Sequence, residues 1–129
     1  MTLHAFIEWV KYAAKAKGRH GTHSPFVFSF AEWLKNNSQL PLTEKIHAYF
    51  KEYTVITVSQ PGDWYTCVPH GKTIYLLEDI HKTAKHTASW DAIRESPDIK
   101  MSIDLYKCGM LLSLEEFKEK QHFILQHFG

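Results

Sequence analysis

Nine histidines in 129 residues raise metal or proton chemistry as the first question. They include three close pairs: His20 with His23, His81 with His86, and His122 with His127. A helical two-histidine metal site needs i, i+4 spacing so that both imidazoles leave one face. Neither of the last two pairs has it, and no Cys or Glu stands close by in a familiar zinc pattern. No zinc site is therefore expected. His20 and His23 sit in the segment Arg19-His20-Gly21-Thr22-His23, where imidazoles serve mainly to fix a loop by hydrogen bonding. Cys67 precedes Pro69-His70, but a thiol becomes a catalytic nucleophile only with a base, an orienting group and an oxyanion pocket. Cys67 and Cys108 have no C-x-x-C partner and read as reduced, buried thiols, which suits a cytoplasmic chain. Glu78-Asp79, at the end of an apolar run, reads from the residues alone as an acidic pair capping the following loop. G-x-S-x-G, P-loop and intact dinucleotide signatures are absent from the sequence.

Charge narrows the partners. The formal net charge is +1, and the only basic run is Lys11, Lys15, Lys17 and Arg19, which reads as the polar side of a first helix. Nucleic acid is not an expected partner. No apolar run approaches about 18 residues, so no membrane span is expected. The 44% hydrophobic and 14% aromatic content, against 22% charged, predicts one domain over residues 1–129 with a core rich in large rings.

The elements that must position these residues follow from periodicity. Leu3, Phe6, Ile7, Val10, Ala13 and Ala14 recur at helical spacing and predict a first helix running to Gly18. Ser24-Pro25 reads as N-cap and first turn of a second helix, with the stripe Phe26, Phe30, Trp33 and Leu34 facing the core. A third is expected over Thr43 to Tyr53. From Thr54 the pattern changes to strands: Thr54 to Val58, a turn at Gln60-Pro61-Gly62-Asp63, a short strand at Tyr65 to Val68, and a fully covered strand at Thr73 to Leu77. His86, Trp90 and Ile93 predict a helix of about eleven residues before Pro97. Ile99, Met101, Ile103 and Leu105 alternate with polar residues, the pattern of a half-buried strand, and Lys107-Cys108-Gly109 connects it to Met110 to Ser113 as an antiparallel hairpin. The tail suits either helix or strand. The expected fold is α/β: a helical part over 1–53, then an α/β part over 54–129 with a small, mostly parallel sheet ending in the hairpin.

Two stretches carry a family resemblance. Lys17-Gly-Arg-His-Gly-Thr-His-Ser-Pro-Phe-Val-Phe28, and Tyr75-Leu-Leu-Glu-Asp-Ile-His81 through Trp90 to Ile103-Asp104-Leu105-Tyr106 and Gly109, resemble the two ends of a group of bacterial class I S-adenosylmethionine-dependent methyltransferases. The resemblance covers about half the chain and implies a truncated Rossmann-like fold. Members of the group are about twice as long. Between the two matching ends they carry strands for which this sequence has no counterpart, including the one bearing the acidic residue for the ribose hydroxyls. By the resemblance, the glycine-rich cofactor turn falls at Val55 to Asp63, making Ser59, Gly62 and Asp63 the cofactor-binding candidates. One glycine and a proline stand there where close backbone approach is needed. Glu78 and Asp79 match an acidic pair that in the metal-dependent branch helps hold a divalent cation, a role that suits carboxylate oxygens. The carboxylate completing such a site would fall near Tyr65 to Val68, where the sequence has none.

The resemblance therefore implies ancestry more than activity. The expectation is a degenerate methyltransferase-like protein without cofactor or metal, acting through a homodimer or another protein partner. The alternatives are a minimal methyltransferase that binds S-adenosylmethionine unconventionally, with Glu78, Asp79 and His81 around the reacting centre, and an RNA-binding module using Lys11 to Arg19 and His20. Losing neighbouring strands would also leave Thr54 to Val58 at a sheet edge.

Overall fold

The computed structural model describes residues 2–15 and 24–125. Ser24 accepts a hydrogen bond from the Val27 N–H, and Pro25 occupies the first turn, so the expected N-cap starts helix α2 (Pro25–Asn36). Helix α1 spans Leu3–Lys15 and α3 spans Leu42–Tyr49. α3 is shorter than its periodicity suggests. Phe50 closes it through its N–H to the Ile46 carbonyl, and Tyr53 belongs to the turn that leads into the sheet.

Five strands follow: β1 (Thr54–Val58), β2 (Gly71–Glu78), β3 (Met101–Asp104), β4 (Cys108–Ser113) and β5 (Gln121–Ile124). Helix α4 (Ala84–Arg94), capped by the Thr83 side chain, connects β2 to β3. The sheet order is β1-β2-β4-β3-β5. β1 pairs parallel with β2 and β3 parallel with β5, whereas β4 is antiparallel to both its neighbours. The sheet is thus mixed rather than mostly parallel. The β3–β4 hairpin does not end it: β4 enters between β2 and β3, and the tail supplies β5 as the outer strand. A second correction concerns Tyr65 to Val68. Pro61–Thr66 is a 3₁₀ helix, because Pro61 pre-sets its first turn and the Asp63 N–H closes onto the Gln60 carbonyl.

Alternation along the strands builds a core on each face. Ile74 and Leu76 of β2, Met101 and Ile103 of β3, and Met110 and Leu112 of β4 meet Val27, Phe30 and Leu34 of α2 and Ile46 of α3. On the other face Leu77 and Leu111 meet Trp64 of the 3₁₀ helix and Trp90 and Ile93 of α4. Gly109 lies directly under the Trp90 ring: a methyl group there would stand 2.5 Å from Cη2. β3 differs from its expected half-burial. All four of its residues are buried, including Ser102 and Asp104, because α1 and α4 cover the face on which they point.

α1 is oriented against expectation. The side carrying Ala5 and Tyr12 is buried, while Leu3, Phe6, Ile7 and Val10 turn outward with exposures of 75%, 54%, 45% and 47%. Polar bonds hold it this way round. Tyr12 donates to the Leu125 carbonyl, Tyr106 donates to the Ala5 carbonyl, and His4 Nε2 lies 2.9 Å from Thr87 Oγ1. Among the described residues no helix is long and apolar enough to cross a membrane.

Candidate functional site

A pocket of about 210 Å³ opens where α1, α4, the turn after β2 and the ends of β3 and β5 converge. Into it projects His81, three residues beyond the end of β2, with 7% of its surface exposed. His81 Nε2 lies 2.7 Å from Asp104 Oδ2 at the end of β3. Toward the ionised form of a carboxylate, which only accepts, the donor in this contact is Nε2–H. Asp104 Oδ1 accepts the Tyr106 N–H at 2.8 Å, which fixes the hairpin turn in which Tyr106 adopts φ 66°. The Tyr106 ring then stacks on His81, centroids 5.5 Å apart and planes inclined by 19°. On its other side, His81 Nδ1 lies 3.3 Å from Thr87 Oγ1 and 3.7 Å from Glu8 Oε2 of α1. Burial, then Glu8 and Asp104, push the Tyr106 phenol above its usual range.

One imidazole thus stands between two carboxylates from distant parts of the chain, a geometry able to hold or pass a proton. The rest of the wall is compensated from within. Lys11 pairs with Glu8 at 3.8 Å, and Arg94 pairs with Asp91 at 3.3 Å. His122, on β5, has Nδ1 2.6 Å from Ser102 Oγ and its ring 6.2 Å from that of Trp90. Although His122 as a residue is open to solvent, its imidazole is sunk among these neighbours. That burial, then Arg94, holds its pKa below the ordinary value. Ser102 is itself buried, which places its hydroxyl out of reach as a nucleophile.

The residues singled out from sequence fall in different places. Ser59 donates to Glu78 Oε1 at 2.5 Å, tying the ends of β1 and β2 together. Gly62 and Asp63 lie in the 3₁₀ helix, and Gly62 has open space around it and no positive φ, so nothing there requires a glycine. Asp79 occupies a left-handed turn (φ 57°), its N–H donating to the Lys107 carbonyl. Of the catalytic candidates, Glu78 serves the strand ends and Asp79 the turn, while His81 alone enters the pocket. His20 and His23 lie outside the described residues, as do Lys17 and Arg19. Among the described residues, no three His, Cys, Asp or Glu side chains are grouped to hold a metal ion. Glu8 and Asp104 were not singled out. Their signal was present in part: a carboxylate inside an apolar helix pattern, and a carboxylate at a strand end.

Both thiols are buried. Burial, then Asp63, raises the Cys67 pKa, and burial, then Asp104, raises that of Cys108. Neither is poised as a thiolate nucleophile. Compared with known proteins, the chain matches no family model, no curated protein and no solved structure.

Proposed function

We propose that this chain is a methyltransferase-like protein that acts by binding another polypeptide and not by methyl transfer. The observation that carries this reading is α1. A helix whose polar side is bonded to the body and whose apolar stripe faces outward presents a contiguous apolar surface, and such surfaces on small domains mark contacts with other macromolecules. The segment where the resemblance puts a cofactor turn supports it too. It runs from Ser59, bonded to Glu78, into a 3₁₀ helix, without the close-approach glycine that such a turn uses.

A second reading, methyl transfer at the His81 pocket, is favoured by location, because the pocket lies beyond the carboxyl ends of β3 and β5, where open α/β sheets bind ligands. Its size argues the other way. At about 210 Å³ it is below the usual range for drug-sized ligands, of roughly 300 Å³ and above.

Calorimetric titration with S-adenosylmethionine and S-adenosylhomocysteine separates the two. The binding reading expects no saturable heat. A dissociation constant tighter than about 100 μM, roughly −5.5 kcal/mol, would replace it with the enzymatic one.

A further inference from the structure

β1 is an outer strand. One edge pairs with β2 residue for residue, from Thr54 with Thr73 to Val58 with Leu77, without a bulge, and the other edge meets no strand among the described residues. Natural edge strands are usually blunted by a lysine, a proline, a bulge or an inward charge. β1 has none of these. It reads Thr-Val-Ile-Thr-Val, five β-branched residues, and Ile56 at its centre is 38% exposed.

We infer that a second copy of this chain covers this edge, the two β1 strands pairing antiparallel across a twofold axis at Ile56. The inference goes beyond the binding reading, which is carried by α1, and assigns a separate surface, the β1 edge, to a second copy of the chain. The pattern is self-complementary about Ile56: that residue faces its own counterpart, Val55 faces Thr57, and Thr54 faces Val58. Every cross-strand pair is β-branched, a favourable combination on a pleated surface. Continued outward, the register sets Tyr53 against Ser59 and Glu52 against Gln60, so no like charges meet. Only the antiparallel arrangement uses the same patch on both copies and closes. A head-to-tail pairing would leave a fresh edge on each addition and grow without limit.

The test uses the full chain with one added thiol. Directly opposed residues of an antiparallel pair have Cα atoms about 4.5–5.5 Å apart, within disulfide range. Ile56→Cys is expected to give a covalent dimer on mild oxidation. Thr54→Cys, which faces Val58 and not itself, is expected to give far less, and the buried Cys67 and Cys108 supply little background. Sedimentation equilibrium is expected to show a dimer for the native chain and a monomer for Ile56→Lys, with unchanged far-ultraviolet circular dichroism. If Ile56→Lys fails to fold, the comparison of the two cysteine variants decides alone. A native monomer at tens of micromolar, or a dimer that survives Ile56→Lys without cross-linking through Ile56→Cys, overturns the inference. Binding of S-adenosylmethionine by a monomer would overturn the binding reading as well, whereas a monomer that binds none removes only the self-pairing.

Discussion

Gly109→Ala tests the packing behind the pocket. The added methyl would lie 2.5 Å from Trp90 Cη2 and 2.9 Å from Cε3. Carbon atoms in contact settle near 3.5–4.0 Å, so the ring must retreat by about 1 Å. It has little room to do so: Trp90 is 1% exposed and shares its cluster with Leu77, Ile93 and Leu111. Overpacking a filled core costs about 1–3 kcal/mol, and a rigid indole with neighbours behind it places this case near the upper end, about 3 kcal/mol. Urea unfolding of the native chain, Gly109→Ala, Trp90→Leu and the double variant measures it. In the Trp90→Leu background the methyl enters vacated space, so the same substitution should cost less than about 1 kcal/mol, a coupling of about 2 kcal/mol. A loss below about 0.5 kcal/mol for Gly109→Ala, or equal losses in both backgrounds, would refute the steric account.

Asp104→Ala should destabilise by about 2–4 kcal/mol, because it removes the buried partner of His81 Nε2 and the acceptor of the Tyr106 N–H, at about 1–3 kcal/mol for each group left unsatisfied; an unfolding loss below about 1 kcal/mol would show those bonds to be dispensable. Burial depresses the pKa of His122 and of His86, so the fold favours their neutral forms. The unfolded imidazoles titrate near ~6.5, so the unfolded chain takes up protons first as the pH falls through that value, and stability rises with pH in this window and is lost below it. His122→Gln should flatten the fall in urea midpoint between about pH 7.5 and 5.5, and an unchanged slope would count against the burial argument. Cys67 and Cys108 should react with a thiol reagent only on unfolding, in step with loss of circular dichroism. Rapid labelling of the native chain would contradict their placement.

Local chemistry explains how much was legible. Ser24-Pro25 marks the start of α2 because the cap and the missing N–H act within one turn, and Pro97 lies just past the end of α4 for the same kind of reason. The apolar run of β2 reads correctly as a strand covered on both sides. What covers a face is a different matter, since it depends on residues far away in sequence. β3 alternates as a half-buried strand does, but α1 and α4 lie over its polar side, and Asp104 and Ser102 are satisfied by His81 and His122 instead of water. α1 shows the same limit from the other direction. Its apolar stripe follows from spacing, but periodicity does not say whether that stripe meets this chain's core or something else. The pocket was half visible: His81 stood among the candidates, whereas its carboxylates arrive from residues 8 and 104.

The strand order has a consequence for the way the sheet comes into being. β4, its middle strand, lies late in the chain, and its partners β2 and β3 both precede it. While the polypeptide emerges from the ribosome, β1 and β2 have only each other, with the apolar flank of β2 open until Cys108–Ser113 arrives. The β3–β4 hairpin is the local pairing, so it can form first and then slot against β2 as a finished piece, after which β5 adds outside β3. Assembly therefore comes as one late closing step instead of strand-by-strand growth. Nascent chains arrested before and after residue 113 should differ sharply in resistance to protease, and a gradual rise in protection from β2 onward would exclude this order.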